Sequence, residues 1–235
     1  MTEPRFDETT YRPDPTRKSN AHAWAASHMA GKGSFKVLEI GCATGQDLAP
    51  LLRDFPENQF VGLDISQENI REATKLHPGS KWVASDYMVF LDGSFDLIIS
   101  ERSLSVFECS DDALASKLAS DLQAGGLAVV TLPASCLCTT AHFTLKKILR
   151  GLRSKPLDAF FLWLAQRLRP GVDRDTLADR VIYMYVVPRR TADRKFHDVL
   201  ARHGLTVEQD HGVMRCTPFE TPHRLLVLRK SASPA

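Results

Sequence analysis

No apolar run in this chain of 235 residues approaches the roughly 20 residues that cross a bilayer, so no membrane span is expected. Paired cysteines are missing as well. Five cysteines, an odd number with no C-x-x-C spacing, argue against a disulfide framework. Cys136-x-Cys138 has no second pair near it to complete a metal site, so idle or buried thiols and no metal are expected. Residues 1–20 are polar and proline-containing, unlike a signal peptide, and a reducing cytoplasm is the expected setting. Charge of one sign is lacking too: a net +2 points to no polyanionic partner for the chain as a whole. Internal repeats, low-complexity tracts and the dinucleotide spacing G-x-G-x-x-G are likewise absent, which weakens a nicotinamide or flavin reading.

What is present is an average globular composition, 43% hydrophobic and 25% charged, of a length that suits one α/β domain. The most informative run is Val37-Leu38-Glu39-Ile40-Gly41-Cys42-Ala43-Thr44-Gly45. A strand leads into a turn with two glycines, and a helix-like segment follows from Gln46 to Phe55. Glycine reaches backbone angles that a Cβ forbids and lets main-chain N–H groups approach a ligand, while a helix start adds donors for an anion. About twenty residues on, Gln59-Phe60-Val61-Gly62-Leu63-Asp64 ends in a carboxylate, where α/β folds hold a ribose diol. Capping the helix near Ser66 is the plainer role for Asp64. A third strand, Lys81 to Ala84, runs into Ser85-Asp86. In parallel sheets ligands sit beyond the carboxyl ends, so Glu39, Gly41, Gly45, Asp64 and Asp86 are expected around one crevice.

These residues, with Phe95 to Ser100 as a fourth strand and Leu122-Gln123-Ala124-Gly125-Gly126 turning into a fifth, resemble the class I S-adenosylmethionine-dependent methyltransferases. The likeness covers roughly residues 34 to 133 and returns weakly from about 191 to 230; Ala124 stands where the family usually has proline. It implies a doubly wound, mostly parallel seven-stranded α/β sheet, closed by an antiparallel strand, and S-adenosylmethionine as cofactor with S-adenosylhomocysteine as product. Gly41 and Gly45, with Cys42, would flank the methionine end, Asp64 and Ile65 the ribose, and Asp86, Ser85 and Tyr87 the adenine. Glu39 would either reach the cofactor's amino group through water or order the glycine turn. Glu101, after strand four, lies at the same crevice and is a candidate base.

The expected organisation is one domain over 1–235: an N-terminal helical segment (1–33), a core (34–133 and 191–230) and a helical insertion (134–190) after strand five. A helix is expected from about Ser19 to Met29, another over 111–123 with Ala113, Leu114, Leu118 and Leu122 on one face, and a third from a Thr191 cap to His203. Two helical stretches mark the insertion, one with Leu145, Ile148, Leu149 and Leu152, the other with Leu157, Phe160, Phe161, Leu164 and Leu168. Leaving the sheet at its carboxyl edge, the insertion can cover the crevice as a lid. It also carries eight bases and two acids between 134 and 174. The plain account packs its apolar residues on the sheet and leaves the bases in water; contact of 143–168 with a membrane surface and a grip on nucleic acid are the alternatives.

His142 is the first candidate base, with Glu101, Tyr183, Tyr185 and His211 behind it, while Arg189 and Arg190 are either a solvated pair or a clamp for an anionic group. The motif [DNS]-P-P-[FY] of DNA amino-methyltransferases is absent, as is a Pro-Cys nucleophile, and Asp111-Asp112 suit a helix start better than magnesium. A small or lipid-like acceptor methylated at oxygen or nitrogen is therefore expected, and nucleic acid is not. The rivals are a nucleic-acid methyltransferase and a non-catalytic protein that holds the cofactor or its product.

Overall fold

The computed structural model describes residues 19–214 and 221–232. Its centre is one seven-stranded sheet in the order β3-β2-β1-β4-β5-β7-β6. Strands β1 (Lys36–Ile40), β2 (Gln59–Asp64), β3 (Lys81–Ala84), β4 (Phe95–Glu101) and β5 (Leu122–Pro133) are mutually parallel. Strand β7 (His223–Lys230) runs antiparallel between β5 and β6 (Leu205–Met214). The order reverses between β1 and β4, which opens a crevice beyond their carboxyl ends.

Successive strand residues face opposite sides, and the core splits accordingly. Leu38, Ile98, Ala128 and Val130 pack on one side beneath α4 (Asp111–Asp121) and α8 (Arg194–Arg202). Val37, Leu97, Ile99 and Val129 pack on the other against α1 (Asn20–Met29), α2 (Ala49–Asp54) and their neighbours. Ser19 caps α1, Ser66 caps α3 (Gln67–Leu76) and Ser110 caps α4, each accepting a main-chain N–H of the first turn.

Several local expectations are corrected. The helix after the glycine turn begins at Ala49 rather than at Gln46, and its first N–H donates to the Gly45 carbonyl at 3.0 Å. Ala113 is exposed, and Leu122 opens β5 rather than closing α4. Asp193 caps α8 in place of Thr191, whose hydroxyl instead bonds the Asp193 carboxylate.

The insertion contains α5 (Leu137–Gly151), α6 (Lys155–Leu168) and a further helix, α7 (Arg174–Val181). Its apolar residues do not sink into the sheet. No residue of α6 is fully buried and only Thr139 of α5 is. Helix α6 packs on α7, and α5 on the 3₁₀ turn Ile182–Met184. The plain account of the insertion therefore fails for its apolar residues, while Lys147, Arg153, Lys155, Arg167 and Arg174 do face solvent. Helical spacing of leucines and phenylalanines says that a face exists, not what covers it.

Candidate functional site

At the carboxyl edge of β1, β2 and β4 lies a cavity of about 1480 Å³, floored by the strand ends and roofed by the insertion. Glu39, Gly41, Cys42, Asp64 and Ile65 line it from the first two strands. Ser85, Asp86, Tyr87 and Glu101 line it from the next two. The sheet thus gathers nearly all the residues expected at the crevice, and two expectations fail there. Gly45 is not in the lining, and neither is His142, which stands one turn before Leu145, the first lining residue of α5.

Gly45 has a packing reason. Trp82 pairs with Gly62 across β2 and β3. A Cβ on Gly62 would meet its ring at 2.2 Å and one on Gly45 at 2.5 Å, so the two glycines form the groove that seats the indole. Gly41 is different. It has φ +76°, lines the cavity, and a Cβ there would strike Ser103 at 2.6 Å. Ser103 Oγ donates to the Ile40 carbonyl at 2.7 Å, drawing the segment after β4 onto the end of β1.

The turn does not present the row of free N–H donors expected of it. Gly41 and Cys42 both donate to the Leu63 carbonyl, Gly45 to that of Cys42, and Ala43 to Asp64 Oδ2 at 2.9 Å. Its contribution is shape. Asp64 is nonetheless at the cavity, with its carboxylate also accepting from Ser66 N–H and Asn69 Nδ2. The cap of α3 is Ser66 rather than Asp64, which braces Ser66 and Asn69 and lines the cavity. Burial raises its pKa, partly offset by those hydrogen bonds. The Cys42 thiol, also buried, is pushed well above the ordinary range by desolvation.

Glu39 is the more informative carboxylate. Its Oε1 lies 2.9 Å from His22 Nε2, and both side chains are buried. On the other edge of that ring, Nδ1 is 2.7 Å from Ser19 Oγ. Ser19 Oγ donates to Glu101 Oε2 at 2.9 Å. Because the hydroxyl has one proton and spends it on Glu101, the ring must donate through Nδ1–H. Burial opposes a charge on His22, but Glu39, Asp47 and Glu101 outweigh it and raise the pKa, which favours an imidazolium facing Glu39. The helix before β1 is thereby tied to Glu39 and Glu101. Glu39 Oε2 remains buried without a hydrogen-bond partner among the described residues. The sequence reading missed His22, since a histidine on an alanine-rich helix carries no local signal.

Other expected residues are relocated. The Tyr87 ring is packed in the core under the Lys117 ammonium, and burial raises its pKa, so its side chain is structural. Arg190 is neither solvated nor at the cavity: its guanidinium clamps the Leu104, Phe107 and Cys109 carbonyls and Asp111. Arg189 lines the cavity and pairs with Glu108 at 2.5 Å. Tyr185 is buried and donates to Asp158, while His211 is exposed on β6; only Tyr183 of that group lines the cavity. Two lining residues were missed. His223, at the start of β7, donates through Nδ1 to the Thr221 carbonyl at 2.6 Å. Lys146 of α5 donates to the Tyr183 carbonyl at 2.9 Å, and burial lowers its pKa to about 8. Among the described residues no cluster of His, Cys, Asp and Glu is built to hold a metal.

The comparisons match this geometry. A family model described as a methyltransferase domain matches residues 37–126, the stretch that supplies β1 to β4 and the glycine turn. Over that stretch the chain is similar to methyltransferase domains, in line with the class I resemblance of its motifs. A trans-aconitate 2-methyltransferase of Deinococcus radiodurans is 32% identical over 101 residues, 43% of this chain and 38% of that protein. One from Azoarcus sp. is 24% identical over 130 residues, 55% of this chain and 51% of its own. The chain thus spans about two fifths to one half of the length of these curated relatives. Among solved structures, the N-methyltransferase NodS of Bradyrhizobium japonicum, in complex with S-adenosylhomocysteine, superposes with a TM-score of 0.59. That alignment covers 96% of each chain at 17% identity. A TehB-like methyltransferase of Corynebacterium glutamicum gives 0.55 at 18% identity, covering 90% of this chain and 88% of its own. At such identities these structures speak for the fold alone.

The residues at the cavity suit the cofactor that names the methyltransferase domain. A buried carboxylate oxygen without a partner demands a donor or a cation, and an amino-acid ammonium is one. Asp64 at the end of β2 keeps an acceptor site on Oδ2, which suits a ribose hydroxyl.

Proposed function

We propose that the chain binds S-adenosylmethionine across the ends of β1 to β3 and moves its methyl group to an oxygen or nitrogen of a small or lipid-like acceptor held beneath the insertion. The observation that carries the reading is the Glu39 oxygen that has no hydrogen-bond partner among the described residues, in the same cavity as Asp64. When bound, the cofactor supplies an electrophilic methyl group on a sulfonium. Glu39 and Gly41 would hold its amino-acid end, Asp64 and Ile65 its ribose, and Ser85 and Asp86 its base.

The insertion supplies the acceptor half. Leu149, Leu157, Phe161 and Leu164 form an apolar wall, with Lys146 among them as a weakly held cation. Such a wall excludes water, a competing nucleophile, and favours an acceptor with an apolar body. Where a proton must leave, His223 and Glu101 are the bases at the cavity. The trans-aconitate named for the relatives is a small polyanion, and Lys146 and Arg189 give this cavity cations for an acidic group.

Calorimetry with S-adenosylhomocysteine tests the cofactor assignment. Asp64→Asn should weaken binding by at least about tenfold, since each hydrogen bond to a charged group contributes roughly 1.5–3 kcal/mol. Wild-type protein without binding heat, or a variant that binds like wild type, refutes it. A radiolabelled-methyl screen over carboxylates, amines and amphiphiles would then identify the acceptor.

A further inference from the structure

We infer that the outer face of α5 and α6 is a docking surface for an anionic lipid bilayer, with the cavity opening onto it. Three residues of the cavity's apolar lining are also half exposed: Leu145 (51%), Phe160 (50%) and Leu168 (55%). The apolar wall therefore runs from the interior out through the mouth. Outside the lining it continues as Ile148 (55%), Leu152 (64%) and Trp163 (52%). Leu145, Ile148 and Leu152 form one stripe of α5, while Phe160 and Trp163 stack at 6.1 Å on α6. An indole and large aliphatics grouped on amphipathic helices are what an interfacial helix buries among acyl chains.

Charge selects the partner. The segment 134–174 holds a net six positive charges while the whole chain holds +2, so the rest is net negative. Lys147, Lys155 and Arg167 are exposed beside the apolar stripe, with Arg167 over the Trp163 ring at 5.5 Å. A second copy seated on this face would oppose one cationic surface to another. An anionic leaflet would neutralise it. Among the described residues no helix is long and apolar enough to cross a membrane, so the contact is peripheral. On the methyltransferase reading above, the mouth admits an amphiphilic acceptor directly from the leaflet.

Flotation with vesicles of 70% phosphatidylcholine and 30% phosphatidylglycerol, against pure phosphatidylcholine, tests the surface. Wild type should float with the anionic vesicles and lose this on raising salt, and brominated acyl chains should quench Trp163; Trp163→Phe should keep flotation and lose that quench. Ile148→Asp/Leu152→Asp and, separately, Lys147→Glu/Lys155→Glu should each lower partitioning at least tenfold with unchanged circular dichroism. Equal partitioning into both vesicle types, or variants that float like wild type, overturns the proposal. So does a dimer in solution that both double variants dissociate, or salt-sensitive retention of a 20-nucleotide RNA without flotation. Flotation without S-adenosylhomocysteine heat keeps the docking surface and removes the methyltransferase reading; heat without flotation does the reverse.

Discussion

Replacing His22 with leucine removes the cation that makes a buried Glu39 tolerable. Breaking a buried ion pair by deleting one partner costs about 3–5 kcal/mol, because the remaining charge is left uncompensated. In a domain of this size each kcal/mol moves the melting temperature by about 2–4 °C, so His22→Leu should lower it by about 6–20 °C. Glu39→Leu, which leaves the His22 charge beside Asp47 and Glu101, should cost less. The double variant replaces both charges by apolar groups and should regain at least about 2 kcal/mol over the sum of the single losses. pH supplies an independent check. The folded pKa of His22 is raised, so the pair's contribution is complete below the unfolded value near 6.5 and is lost as pH rises through the folded pKa. The double variant carries neither group and serves as the reference. The melting-temperature gap between wild type and that variant should be most in favour of wild type near pH 6 and decline steadily to pH 9. A gap that stays flat over this range, or additive single losses, would refute an imidazolium–carboxylate pair.

Gly45→Ala meets the Trp82 ring at 2.5 Å and a positive φ, so it should cost about 2–4 kcal/mol in chemical denaturation. Its S-adenosylhomocysteine affinity, measured below the melting point, should stay within about threefold of wild type; a selective loss of affinity would return Gly45 to the cofactor site. Ala43 holds φ +49° against its own Cβ, so Ala43→Gly should raise stability by about 0.5–1 kcal/mol. A fall in the denaturation midpoint would contradict that. For an acidic acceptor, KM should rise as pH climbs through about 8 and the Lys146 ammonium loses its proton. In Lys146→Met this rise should vanish; an unchanged pH profile would remove Lys146 from acceptor binding.

The parts of this molecule that were legible in the sequence are those whose physics is local. β2 and β3 have the bounds expected of them because apolar runs end at carboxylates and turns. The mostly parallel seven-stranded sheet with its antiparallel closing strand came from the family resemblance, not from periodicity, and its order β3-β2-β1-β4-β5-β7-β6 is a finding of the structure. Gly45 shows how the local reading misleads. Two glycines four residues apart look like a ligand loop, yet one of them answers to a tryptophan 37 positions later that reaches it only because β3 lies beside β2. Helix α7 escaped notice since Arg174–Val181 has few apolar residues to beat a period.

His22 and the insertion fail for one shared reason. The chemistry of each depends on what the fold places opposite it, and a sequence pattern records only the face, never its partner. Opposite His22 the sheet sets Glu39, an acid that a strand interior would otherwise reject, which turns an unremarkable histidine into the tie between α1 and the cavity. Ile148, Leu152 and Trp163 it leaves more than half exposed, although their spacing matches any core helix. Exposing such side chains costs roughly 1.5–3 kcal/mol each relative to burial. A fold that had sealed them would also have closed the mouth of its cavity, since Leu145 and Phe160 belong to both surfaces. The exposed face and the access route are one feature of the insertion, which is why substitutions at Ile148 and Leu152 should report on docking without touching the cavity.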